Sequence, residues 1–436
     1  TGYVRAVGDR VAMVEDSAAE LTLTQQMEMN YDSLASEFDQ NVFGLDVAYF
    51  GQPTDIDGNQ RVLVLFTTQV NEFSAAQEGE GFAGGFFLGT DLADSGDAGK
   101  DGEPANFSGQ GDSDPDDQVC DASNEAEIMW LIAPDPDGST GEQMEIEQAR
   151  QVARSTSSHE FQHMLNTGNR VVKAQGGSFA DVEDTWLDEG LSHVAEEIVG
   201  LGRTGKSLRD NLTAADVLGN QEEADAFNTF LVSNFANAAR YLHQPAGTQA
   251  LALQDPSPIA ESLKMRGFAW MFLRWLADQE APDGSSGGLP GSGEEQLFLA
   301  LSGADGSLET GIANVEASAS GDWEGLLGDF ALAMTADDDV ATDSQRQQVL
   351  TWHLRDVYRE LNAQSGSFPF ERPYPLAPTQ QGFGSATVDF QVEGGGGRYF
   401  TLSSSGSASD VTLEITDQTG EPLTTGSPQV TIVRAQ

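Results

Sequence analysis

One cysteine, Cys120, is present among 436 residues. An intrachain disulfide is thereby excluded, and so is a zinc site built on thiolates. No basic neighbour activates Cys120, so it reads as incidental rather than as a nucleophile. Lysine is almost as scarce, with four copies at positions 100, 173, 206 and 264. No apolar run approaches the roughly 20 residues that a membrane helix requires, so no membrane span is expected. Histidine occurs five times, at 159, 163, 193, 243 and 353.

Acid is what the chain has in excess. There are 70 acidic residues against 21 basic ones, for a formal net charge of −49. Such a surface repels nucleic acid and anionic membranes, and both are excluded as partners. It suits high salt, where screening relieves self-repulsion. It also suits calcium, a hard cation that takes oxygen ligands. Solubility alone is the plainer explanation. The length allows two or three domains with a large core. An apolar content of 39% is too high for general disorder.

Two of the histidines fall in one pentapeptide, His159-Glu160-Phe161-Gln162-His163, within RSTSSHEFQHMLNTGN. On a helix, residues four apart lie one above the other, so both imidazoles point at one spot. Neutral imidazoles at that spacing hold two corners of a zinc tetrahedron. Glu160 sits beside that spot, where a carboxylate can take a proton from an activated water and pass it to a leaving amine. The H-E-x-x-H pattern is short enough to arise by chance, so its setting has to support it. Val152, Ala153, Thr156, Phe161, Met164 and Leu165 recur near the helical period. Gly168-Asn169 then offers a C-terminal stop.

In chain order, residues 1–15 read as one or two short strands and 17–42 as helical. After FGQPTDIDGNQ comes the apolar run 62–66, which reads as a buried strand. Asp55-Ile56-Asp57-Gly58-Asn59 invites a calcium reading. It departs from the EF-hand loop, with Gln60 in place of the glycine and Phe66 in place of the last glutamate. A tight turn is the reading adopted. The Gly- and Asp-rich stretch 74–125 reads as loop around a short strand at 82–88, with metal binding a lesser alternative. A strand at 127–133 and a helix from about 141 lead into the motif. Asp184 offers an N-cap to a helix ending at Gly200. Helices are expected at 222–243, 257–279, 294–303, 321–335 and 343–362.

The character changes near residue 365. FPFERPYPLAP holds four prolines in eleven residues and reads as a linker. Short β-branched segments follow at 386–392, 398–402, 411–415 and 430–433. The expected division is a metallopeptidase-like domain over 1–365, with a strand-containing lobe to about 168 and a helical lobe after it. A linker over 366–379 and a small β-sandwich-like accessory domain over 380–436 complete it.

A hydrolytic zinc needs a third protein ligand, with the fourth position left to water. No H-x-x-G-x-x-H extension follows His163. His193 comes 30 residues later, and Glu189 lies 26 residues later in Trp186-Leu187-Asp188-Glu189-Gly190. A glutamate on a second helix facing the first is what a His₂Glu site requires, and Asp188 could orient a ligand from behind.

HEFQHMLN followed by WLDEGLSHVAEE resembles the gluzincin metallopeptidases, and most of all the hyicolysin family of neutral zinc metallopeptidases. FGQPTDIDGNQRVLVLFT, GFAGGFFLGTDL, SNEAEIMWLIAPD and RGFAWMFLRWLADQ stand in the same order, so the resemblance spans roughly residues 1–360. It implies an α+β, zincin-like two-lobed fold with zinc held by His159, His163 and Glu189. It further implies Glu160 as general base and an endopeptidase acting on proteins or peptides, and a secreted enzyme is the leading expectation. The chain opens Thr-Gly-Tyr-Val in strand-like sequence, and loss of an upstream signal or pro-segment is the matching expectation.

One departure stands out. Where the family leads to the expectation of a tyrosine at the start of a later helix, this chain has Arg266. A guanidinium can donate to an oxyanion, although an ordinary ion-paired arginine is the default. His193 falls on the face of Glu189, as a hydrogen-bonding neighbour or a closing fourth ligand, with a packed histidine as the default. Two alternatives to an endopeptidase are weighed. One is a gluzincin-type aminopeptidase, although its G-[AM]-M-E-N segment is missing. The other is a non-catalytic, zinc-holding surface or adhesion module, against which Glu160 argues.

Overall fold

The computed structural model describes residues 2–19, 21–76, 82–93, 123–247, 259–282, 287–338, 345–382, 389–392, 396–403 and 414–416. Strands β1 (Gly2–Val7) and β2 (Val11–Asp16) form a hairpin. β3 (Val62–Thr67) joins β2 in parallel. β4 (Gly85–Phe87) pairs antiparallel with β5 (Ile128–Ile132), which is parallel to β3. The resulting order among the described residues is β1-β2-β3-β5-β4, with β4 at an edge. β3 has a strand on either side, and its Val62, Val64 and Phe66 are buried. Its apolar run is what a central strand requires. Asp39 secures the hairpin turn by accepting from the Asp9 and Arg10 backbone N–H groups at 2.6 and 2.9 Å.

The region 17–42 is not one helix. It holds α1 (Leu23–Met29), α2 (Tyr31–Glu37) and a π-helical turn at Phe38–Val42, followed by α3 (Phe43–Phe50). Thr22 caps α1, with its N–H bonded to Gln25 Oε1 at 2.8 Å. Asn30 then breaks the chain direction at φ 51°, a conformation that asparagine tolerates better than most residues. α4 (Thr68–Ala76) follows β3 directly.

α5 (Ile146–Thr167) carries the H-E-x-x-H pattern. The stop expected at Gly168-Asn169 does not occur, and a π-helical turn continues over Gly168–Lys173. Asn169 is held inside because its Nδ2 donates to the Phe50 and Ser302 carbonyls at 2.8 and 3.2 Å. Phe161 anchors the far side of α5 against Phe38 and Phe43, at centroid distances of 5.3 and 5.6 Å.

α6 (Thr185–Arg203) has Asp184 at its N-cap, but the Asp184 side chain makes no capping bond. Glu183, just before it, ties the entry of α6 to the helix that begins at Gly311 by accepting from the Asp184 N–H at 2.8 Å, from the Gly311 N–H at 2.6 Å and from Asn314 Nδ2 at 2.7 Å. The helix also runs past the expected stop at Gly200. That glycine serves close packing instead, since a Cβ there would meet Phe230 Cβ at 2.9 Å.

The rest of the described chain is mainly helical. It comprises α7 (Ala214–Leu218), α8 (Gln221–Ala226), α9 (Val232–His243), α10 (Ile259–Glu280), α11 (Glu295–Leu301), α12 (Gly311–Ser318), α13 (Trp323–Ala336) and α14 (Leu354–Ser365). Of the helix expected over 343–362, the described residues form a 3-10 turn at Gln345–Gln347 and then α14, with 343–344 outside the described residues. Asp278 draws the preceding segment out of helix by accepting from the Leu350 and Thr351 N–H groups at 2.8 and 3.0 Å. α10 is central, with every residue from Phe268 to Leu273 fully buried. A stretch of helix that is apolar on every face, as this one is, belongs in the interior. A five-stranded sheet interleaved with helices, followed by a mainly helical stretch, is compatible with the α+β class.

The proline-rich segment lies on these helices. Phe370 and Leu376 are buried, and Tyr374 Oη donates to the Met334 carbonyl at 2.6 Å. Beyond it, β6 (Thr379–Gly382) and β7 (Phe400–Ser403) pair in parallel. Residues 389–392 form no strand. The expected strand at 430–433, the first parts of those at 386–392 and 411–415, and most of the Gly- and Asp-rich stretch 74–125 lie outside the described residues.

Candidate metal centre

α5 and α6 bring three side chains to one point. His159 Nε2 lies 3.3 Å from Glu189 Oε2, and His163 Nε2 lies 3.8 Å from the same oxygen. One ligand atom from each of the three falls within 4.8 Å of the others. The cause is local. His159 and His163 are one turn apart on α5, and Glu189 sits in the first turns of α6, which packs across it.

The outer imidazole nitrogens are held from behind. His159 Nδ1 is 3.0 Å from Glu196 Oε1, and His163 Nδ1 is 2.8 Å from Asp188 Oδ2. Glu196 Oε2 also lies 3.0 Å from His193 Nδ1, so one carboxylate bridges two imidazoles. Asp188 is fixed in turn by Asn166 Nδ2 at 2.5 Å, and Asn166 Oδ1 accepts from Arg170 Nε at 3.0 Å. With both Nδ1 atoms as donors to carboxylates, the Nε2 lone pairs face the point of convergence.

Glu189 is held on its other side. Arg266 Nη2, from α10, donates to Glu189 Oε1 at 2.5 Å. Glu189 Oε2 is left buried without a hydrogen-bond partner. A buried carboxylate oxygen with no donor is costly unless a cation meets it. Three convergent ligands of His, His and carboxylate type, one of them an orphaned oxygen, fit a divalent transition metal such as zinc.

The charges agree with this. Burial lowers the His159 pKa, but the neighbouring Glu189 and Glu196 carboxylates outweigh it and raise it to about 10. Burial also opposes protonation of His163, and Asp188 turns the balance upward. Burial works against ionisation of Glu189, yet the Arg266 charge and the two histidines hold its pKa well below the usual range. The pocket is thus built around positive charge at the point where the ligands meet. Glu160 is different: burial raises its pKa. Among the described residues, no donor is hydrogen-bonded to its carboxylate.

Of the residues singled out in the sequence, His159, Glu160, His163, Asp188, Glu189, His193 and Arg266 gather here. His193 is buried with Nε2 unpartnered, and its ring centroid is 4.9 Å from that of His159. His243 and His353 lie elsewhere, paired with the Pro369 carbonyl and with Asp338. Glu196 escaped the sequence reading. Its signal was present, because Glu189, His193 and Glu196 recur at i, i+4 and i+7 on one helix face.

No family model matches the chain. Over 248 residues it is 25% identical to the neutral metalloprotease ShpI of Staphylococcus hyicus, covering 53% of this chain and 47% of that protein. The match therefore spans about half the length of that relative.

Proposed function

We propose that the chain is a secreted zinc-dependent endopeptidase of the gluzincin type, resembling the hyicolysin family. The observation that carries this reading is the meeting of His159 Nε2, His163 Nε2 and the orphaned Glu189 Oε2 beside a buried Glu160. The likeness to a metalloprotease of Staphylococcus hyicus points the same way.

His159, His163 and Glu189 would hold the metal, which when bound supplies polarisation of the scissile carbonyl and a more acidic water. Glu160 takes the proton of the attacking water and delivers it to the leaving nitrogen. Its burial raises its basicity and suits it to both transfers. Glu196 and Asp188 fix the histidine tautomers. Arg266, one of whose nitrogens is engaged with Glu189, is assigned to positioning that ligand rather than to the oxyanion.

Edge strand β4 lies over α5 just before the motif, with Gly84 and Gly85 packed against Thr156. Among the described residues its outer side has no strand partner, where an extended peptide can add through main-chain hydrogen bonds. We assign residues 1–365 to the peptidase domain, with lobes meeting near 168, and 380–436 to an accessory β domain.

Hydrolysis of an unfolded, N-terminally blocked protein tests the reading. Cutting that is abolished by chelation and restored by zinc is expected. Release of residues only from unblocked ends would replace it with an aminopeptidase.

A further inference from the structure

A second group of oxygen ligands lies away from the histidines. Asp55, Asp57 and Glu127 each place one carboxylate oxygen within 4.8 Å of the other two. Seventy residues separate Asp57 from Glu127 in the chain. The sheet unites them: Glu127 stands just before β5, its carbonyl accepting from Leu63 N–H at 2.7 Å at the start of β3. From there its side chain reaches under the loop that enters β3. Oε1 accepts from Thr54 Oγ1 at 2.6 Å and from Ile56 N–H at 3.0 Å.

The other oxygen is the decisive atom. Glu127 is 1% exposed, and its Oε2 is buried with no hydrogen-bond partner. Among the described residues, no Lys, Arg or His forms an ion pair with any of the three carboxylates. Arg61, the nearest basic residue in the loop, donates instead to the Gly8 and Asn59 carbonyls at 2.9 and 3.1 Å. Three carboxylates so close repel one another, and a buried unpartnered oxygen adds a desolvation cost.

We propose that this cluster binds a calcium ion. An all-oxygen set rich in carboxylates is the ligand type of a hard cation and not of zinc. Asp55 and Asp57 follow the alternate spacing of a calcium loop. Glu127 supplies from the neighbouring strand the glutamate that the linear sequence lacks at Phe66. The ion would clamp the loop to the starts of β3 and β5. It would also steady the end of the motif helix, because Thr54 packs against Gly168.

The test is equilibrium dialysis of the full chain against radioactive calcium chloride with zinc present throughout, together with thermal unfolding at each calcium level. Wild type is compared with Glu127→Gln and with the double variant Asp55→Asn/Asp57→Asn. The expected result is one fewer bound calcium per chain in each variant, or binding weakened at least roughly tenfold, with loss of the matching rise in unfolding temperature. Equal stoichiometry, affinity and thermal response in wild type and variants would overturn the proposal. If Glu127→Gln does not fold, the exposed Asp55/Asp57 pair decides on the same readout. Hydrolysis is not measured, so the outcome is independent of the peptidase reading.

Discussion

Arg266 and Glu189 form a directional pair: the guanidinium engages Oε1 at 2.5 Å and leaves Oε2 buried beside His159 and His163. One oxygen is tied down by α10, and the other faces the ligand point. A ligand fixed in this way loses little freedom when it binds metal. Replacing Arg266 by Met is expected to weaken zinc binding by about 10- to 100-fold, the usual effect of removing a group that orients a ligand. Replacement by Lys should weaken it less. Competition with a chromophoric chelator measures this, and unchanged affinity in the Met variant would remove Arg266 from the positioning role.

Glu196 holds two imidazoles at once. Glu196→Gln exchanges one acceptor oxygen for a donor, so it cannot accept from both Nδ1–H groups. Zinc affinity should fall by about 10- to 100-fold. His193→Ala should cost less, since Glu196 would still orient His159. Equal losses in the same chelator competition would mean that His193 itself binds the metal.

Gly190 sets the distance between α6 and α10. A Cβ there would lie 2.8 Å from Leu273 Cδ1 and 2.9 Å from Ala269 Cβ. Gly190→Ala is therefore expected to destabilise the fold by about 1–3 kcal/mol, as overpacking does. It should also shift Arg266 relative to Glu189. Urea unfolding gives the first effect and chelator competition the second. An unchanged midpoint would contradict the packing account.

The local parts of this architecture were legible because they depend on spacing alone. His159, Glu160 and His163 follow from one helical turn, and Glu189 from the need for a facing carboxylate. The β3 run and the helix of 259–280 announce themselves by composition. Features set by distant partners were not legible. Asn169 prolongs α5 because it meets the carbonyls of Phe50 and Ser302. The segment before α14 is non-helical because Asp278 takes its N–H groups. Glu127 joins Asp55 and Asp57 only through the parallel pairing of β3 with β5.

Asp337 gives a pH dependence separate from the metal centre. It is 1% exposed, accepts from Val349 N–H at 2.8 Å, and has a second oxygen buried without a partner. Burial raises its pKa from 3.8 to about 8. The folded chain thus keeps a proton that the unfolded chain releases. Its stabilising contribution is full below about pH 4 and falls as pH rises toward about 8, where it levels off. Subtracting the stability profile of Asp337→Asn from that of wild type should leave this decline. A flat difference over the same range would show that Asp337 ionises normally in the fold.

The most direct measurement compares wild type with Glu160→Gln on a blocked, unfolded protein substrate, with bound zinc determined in both. Glutamine keeps the shape of the side chain but can neither accept nor return the proton. Full zinc occupancy in both proteins and cutting by wild type alone is the predicted result. Equal cutting by the two, or zinc bound with no cutting by either, would contradict a peptidase that uses Glu160 as its base.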